Sequence, residues 1–206
     1  MIRLMSALFA LVLLPQLAAA EVLQPDAGWE LEKDKKGVKV YLKQEEGKKI
    51  KSFWAETVID APIEKVAQIL SDIEDMPNWM PNCSETEMLE QPSETEAIFY
   101  MVLDLPMVSD RDYVQSTQAY LQDDGSVKVT ATAIDYPGKP PVDGKERITE
   151  AEFLTMLTPI ENNTKTVVQQ IGYTDPGGSM PAWIINGQLT GTPYKMMLNL
   201  QDLAGS

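Results

Sequence analysis

The sequence contains no histidine in 206 residues, which removes imidazole-based triads, His-ligated zinc and histidine pH switching from the chemistry open to it. It has one cysteine, Cys83, so no disulfide can close within the chain even where an oxidising compartment would permit one. Stability must come from a packed core, and Cys83 reads as a small buried hydrophobe rather than a reactive thiol. Positive charge is scarce: 17 Lys and Arg stand against 31 Asp and Glu, a formal charge of −14. Nucleic acid requires a concentrated basic surface and is not expected as a partner. Anionic membranes are disfavoured for the same reason, so any membrane contact should be transient and hydrophobic. No pair of acids, tyrosines or lysines stands at a spacing that marks a reaction class. Catalytic residues, cofactors and metal ligands are therefore not expected.

What is present begins with a processing signal. Arg3 precedes an uncharged run from Leu4 to Leu14, too short for the roughly 20 apolar residues that span a bilayer. Pro15 and the small residues Ala18-Ala19-Ala20 follow, the A-x-A pattern of a signal peptidase site. Residues 1–20 are expected to be cleaved before Glu21, delivering the chain to the periplasm or medium. No cysteine stands at the cut, so lipoprotein attachment is not indicated. Residues 21–206 are expected to form one domain, most simply as a monomer.

The segments read as α+β. Trp29 to Lys33 and Val38 to Lys43 flank a hairpin turn ending in Gly37, and Lys49 to Ile59 is a third strand. Asp60-Ala61-Pro62 opens a helix, with Asp60 as a candidate cap, and Ile63, Val66, Ile69, Leu70 and Ile73 share one face. Pro77 and Pro81 break it. Strands follow near 83–90, 94–103, 111–122, 126–134, 147–157 and 164–173, with turn residues between neighbours that favour antiparallel pairing. Met180 to Leu203 is amphipathic but holds Gly187, Gly191 and Pro193, which point either to close packing with a static kink or to a movable lid.

Val108-Ser109-Asp110-Arg111-Asp112-Tyr113-Val114 and Asp175-Pro176-Gly177-Gly178-Ser179-Met180-Pro181-Ala182-Trp183 resemble the StAR-related lipid-transfer (START) family. Ala55 to Asp60 and Trp79 match earlier landmarks in the same order. The resemblance implies a helix-grip fold: a curved antiparallel sheet around a long C-terminal helix, with an internal hydrophobic cavity that carries a lipid-like ligand such as a sterol, hopanoid or phospholipid. It implies no enzyme activity. Leu70 to Pro77 also resembles the coenzyme-Q-binding and polyketide-cyclase-like branch, which would imply a quinone or aromatic ligand and admits an enzyme. Where some sterol-carrying members place a buried acid and base, Ile98 and Thr117 are aligned here.

Alternate strand residues share a face, so the parity that turns Thr117 inward also turns Arg111, Tyr113 and Gln115 inward. The expected ligand-binding set is Ile98, Tyr100, Val102, Arg111, Tyr113, Gln115, Thr117, Val129, Ala131, Trp183, Ile185, Leu189 and Met196. A buried Arg111 needs a partner, for which Asp104, Asp110 and Asp112 are candidates.

Overall fold

The computed structural model describes residues 22–105, 108–178, 180, 185–186 and 188–205. They begin with β1 (Glu30–Lys35), β2 (Val38–Lys43) and β3 (Ser52–Ile59), followed by α1 (Ile63–Ser71) and α2 (Met76–Trp79). Seven strands come next: β4 (Cys83–Ser93), β5 (Glu96–Leu103), β6 (Arg111–Leu121), β7 (Val127–Ile134), β8 (Glu146–Arg147), β9 (Glu150–Ile160) and β10 (Lys165–Asp175). Helix α3 (Gly191–Gly205) closes the chain. The strands form one curved sheet in the order β1-β2-β3-β10-β9-β7-β6-β5-β4, every neighbour antiparallel, with β8 adding a short parallel pairing to β6. This is the α+β helix-grip architecture expected.

Local chemistry explains most of the turns. Lys36 and Gly37 both have positive φ, 54° and 75°, the geometry of a two-residue turn whose twist matches the strands it joins. Glu161, Asn162 and Asn163 turn the β9–β10 hairpin with three successive positive φ values. Asn163 also serves the helix opposite: its Oδ1 accepts from the Ile63 N–H at 3.0 Å and its Nδ2 donates to Glu64. The expected Asp60 cap is thus replaced by a side chain 100 positions away, while Asp60 pairs with Lys165 at 3.7 Å. Asn163 holds the Glu64 carboxyl below its usual range by that hydrogen bond.

Two further expectations change. Pro77 does not merely break α1; it sits at the start of α2, where its missing N–H has no helical partner to lose. The continuous C-terminal helix begins at Gly191 rather than Met180, which puts Pro193 in its first turn. A proline is tolerated there, so Pro193 marks a helix start and not a kink.

The concave face of the sheet carries the core. Val38, Val40 and Leu42 point inward from β2, with Phe53, Ala55 and Ile59 from β3, and α3 lays Tyr194, Met197, Leu200 and Ala204 against them. Each fully buried side chain of this size contributes about 1.5–3 kcal/mol. The convex face is covered in two places. Near β3 and β10, Gln169 clamps the N-terminal segment, accepting from the Leu23 N–H and donating to the Leu23 carbonyl, while Trp29 packs edge-on against Trp54. Over β5 and β6, the β7–β8 connection (135–145) covers Tyr100, Val102 and Val114.

Candidate functional site

The remaining concave surface runs from β5 to β10. Helices α1 and α2 stand off it and leave a cavity of about 510 Å³. Phe99 and Met101 of β5, Tyr113, Gln115, Thr117 and Ala119 of β6, and Val127, Val129 and Ala131 of β7 form one wall. Phe153, Thr155 and Leu157 of β9 and Gln170 of β10 continue it, and Leu70, Ile73, Met76, Trp79 and Met80 form the roof. A second chamber of about 160 Å³ adjoins it through Met80, Tyr113, Phe153, Gln170 and Met196, and extends to Leu105, Pro176, Met180, Ile185, Leu189 and Thr192. The size and the mostly apolar lining suit a small hydrophobic molecule.

The larger chamber reaches the surface between α1 and the β4–β5 hairpin, where Glu64, Gln68, Gln91, Glu94 and Thr95 are exposed at its rim. The charged lining residues are Glu64, Glu94 and Glu96, all at this mouth, and no basic side chain lines either chamber among the described residues. Deeper in, the polar groups are neutral. Thr117 donates to the Ala97 carbonyl at 3.2 Å, Gln170 donates to the Thr155 hydroxyl at 3.2 Å, and the Tyr113 hydroxyl reaches the Met101 sulfur at 3.3 Å. Burial raises the Tyr113 phenol above its ordinary value, with Cys83 adding in the same direction. Burial also pushes the Cys83 thiol up to about 11. Among the described residues no group of acids, His or Cys could hold a metal ion.

Of the expected lining residues, Gln115, Thr117, Val129 and Ala131 line the larger chamber, Ile185 and Leu189 line the smaller, and Tyr113 and Met196 line both. Ile98, Tyr100 and Val102 do not: they belong to the convex-face cluster, and the inward residues of β5 are Ala97, Phe99 and Met101. The register is the reason. Ala97, not Ile98, lies opposite Thr117, and Phe99 lies opposite Gln115; a slip of one residue turns every side chain to the other face. Both parities of β5 are apolar because both of its faces are covered, so alternation could not decide between them. Trp183 lies outside the described residues, as do Pro181, Ala182, Ser179 and Gly187.

Arg111 is buried, 3 % exposed, but it lines neither chamber. Its guanidinium donates to the Pro176 carbonyl at 3.3 Å and to Ser109, so it ties β6 to the segment that leaves β10. None of the three aspartates proposed as its partner forms a salt bridge with it among the described residues. Asp110 pairs with Lys145 at 3.5 Å. Asp112 takes two hydrogen bonds from Arg147, at 2.9 and 3.0 Å, and a third from the Tyr100 hydroxyl at 3.0 Å. Donating to the Asp112 carboxylate raises the Arg147 guanidinium above its usual range, against partial desolvation.

Sequence reasoning did not name Phe99, Met101, Phe153, Thr155 or Gln170. Alternation does not mark the inward face of β9, because Leu154 and Met156 are as apolar as Phe153 and Leu157; the register with β7 and β10 sets Phe153, Thr155, Leu157 and Gln170 on the cavity side.

Comparison with known proteins matches the START domain family over residues 15–197. A solved STAR-related lipid transfer protein from Xanthomonas axonopodis is 30 % identical, with a TM-score of 0.79 over 87 % of this chain and 100 % of that one. An uncharacterized Pseudomonas aeruginosa protein is 29 % identical over 177 residues, 85 % of this chain and 86 % of its own length. An acetyl-coenzyme A thioesterase from Rattus norvegicus is 25 % identical over 154 residues, 72 % of this chain but 27 % of the enzyme.

Proposed function

Because the chain belongs to the START domain family, whose members bind hydrophobic lipid ligands, we propose that it carries one lipid-like molecule in the paired chambers, as a monomer exported to the periplasm or medium. The observation that carries this reading is the cavity of about 510 Å³ between the sheet and α1 and α2, apolar inward of its acidic mouth except for a few neutral groups. Carriage rather than catalysis is supported by the lining: inward of the mouth it presents no carboxylate, amine or thiol among the described residues that could pair with the Tyr113 phenol or a threonine hydroxyl as general base or nucleophile. The lipid transfer protein from Xanthomonas points the same way, whereas the thioesterase shares only 27 % of its length with this chain.

The test is titration of the chain beginning at Glu21 with a fluorescent sterol or acyl probe. One-to-one binding is expected, together with its loss in Met196→Trp, whose indole would fill the boundary between the chambers. Normal uptake by a folded Met196→Trp protein would rule these chambers out as the ligand site.

A further inference from the structure

The lining of the larger chamber narrows the cargo. Gln115 lies deep on β6, 9 % exposed, flanked in the sheet by Phe99 and Ala133. Its carboxamide lines the cavity and has no hydrogen-bond partner among the described residues. The amide opens on the cavity rather than being sealed in the protein, so a cargo that fills the cavity displaces whatever solvates it, and leaving it unpaired there is unfavourable unless the cargo supplies the partner. An amide donates and accepts, which suits a hydroxyl or carbonyl oxygen. Charge points the same way. A phosphate or carboxylate taken into a cavity without a cation is strongly disfavoured, no basic side chain lines either chamber among the described residues, and the charged residues at the mouth are the acids Glu64, Glu94 and Glu96.

We propose that the cargo is a neutral lipid bearing a hydroxyl or carbonyl oxygen, which it places on the Gln115 amide, and that anionic lipids are rejected. This rests on the carrier reading above and adds the chemical class of the ligand and the residue that recognises it. A lipid alcohol and a quinone share the chemistry, and the test separates them.

The experiment loads the chain beginning at Glu21 with dehydroergosterol and displaces it with five competitors: cholesterol, cholestane, a short-chain ubiquinone, oleate and phosphatidylglycerol. Cholesterol or the quinone should displace the probe, the better of the two identifying the source of the oxygen. Oleate and phosphatidylglycerol should be at least about tenfold weaker. Cholestane, which lacks the hydroxyl, should be about tenfold weaker than cholesterol, and this gap should close in Gln115→Leu. Gln115→Met serves the same purpose should the leucine variant fold poorly, and the competition on the unsubstituted protein stands without either. Displacement by phosphatidylglycerol or oleate as strong as by cholesterol overturns the neutral cargo and leaves the carrier reading intact. Equal strength of cholestane and cholesterol overturns the role of Gln115. Failure of every probe and competitor to bind overturns the carrier reading and this inference together.

Discussion

Asp112 is fully buried and shows how much one residue can organise. Its carboxylate holds Arg147, and Arg147 donates onward to the carbonyls of Lys139 and Pro140 at 3.0 Å each, fixing the connection that covers the convex face of β5 and β6. Removing one member of a buried pair leaves the other charge uncompensated, at a typical cost of about 3–5 kcal/mol. Asp112→Asn should therefore lower stability by about that amount in urea denaturation, and Tyr100→Phe by only about 1 kcal/mol. Equal, small losses in both would show that the pair is not what secures the connection. The buried thiol and phenols of the sheet give a pH dependence of known sign. Cys83 keeps its proton up to about 11 in the folded protein, whereas in the unfolded chain it loses it near its ordinary value of about 8.5. The native state then binds more protons in this window, so its stability falls as pH rises through it and is regained below. Tyr113 and Tyr100, both raised chiefly by burial, extend the loss to higher pH. The urea midpoint should drop from pH 8 to 11, and less steeply in Cys83→Ala; an identical slope in that variant would remove Cys83 from the account.

At the scale of elements, α3 divides its work. Leu200 is almost wholly buried against β2 and β3, and Leu200→Ala should cost about 2–5 kcal/mol with little effect on probe affinity. Met196 faces the cavity, where the main effect of substitution should be on binding. Gly172 of β10 has a different constraint. A β-carbon there would lie 2.6 Å from both the Phe153 and Phe53 rings, which line the chambers beside it. Gly172→Ala should be destabilising by about 1–3 kcal/mol through overpacking, measurable by thermal or urea unfolding. An unchanged stability would mean that the two rings move aside freely. Strand β5 shows the limit of pattern reading at this scale. Val127 to Ala131 of β7 could be assigned a face from their alternation with Lys128 and Thr130 because one side meets solvent. In β5 the sequence from Ala97 to Leu103 is apolar on both sides, and only the pairing with β6 assigns its faces.

For the whole molecule, passage of cargo needs an opening, and the smaller chamber supplies a place to look. Leu105, before β6, and Leu189, before α3, both line it. Cysteines at these two positions in a Cys83→Ser background, bridged by a flexible bismaleimide, should slow ligand exchange between vesicles if the segments must part. Transfer at the unbridged rate, with the bridge confirmed by mass, would place the route elsewhere, the mouth beside α1 and the β4–β5 hairpin being the alternative. Pro106 and Met107 lie outside the described residues, as does the cleavage site before Glu21. Export is checked by N-terminal sequencing of protein from the periplasm or medium, expected to begin at Glu21; an intact Met1 in a membrane fraction would reject it. Leu23 is already hydrogen-bonded to Gln169, so a cut much beyond Glu21 should also weaken the fold.

The sequence by itself determined what is local or compositional. Missing histidine closed off imidazole chemistry, turn residues located the hairpins, and the order of short motifs was enough to identify the family and its architecture. These depend on neighbours in the chain, or on counts, and survive without knowing what packs against what. Only the tertiary structure decided which face of β5 meets the cavity, that Asn163 rather than Asp60 serves the start of α1, and that Asp112 belongs to Arg147 and not to Arg111 beside it. Each of these is a choice among residues of equal chemical fitness. It is settled by strand register and by approaches between positions far apart in the chain, which no spacing along the sequence records.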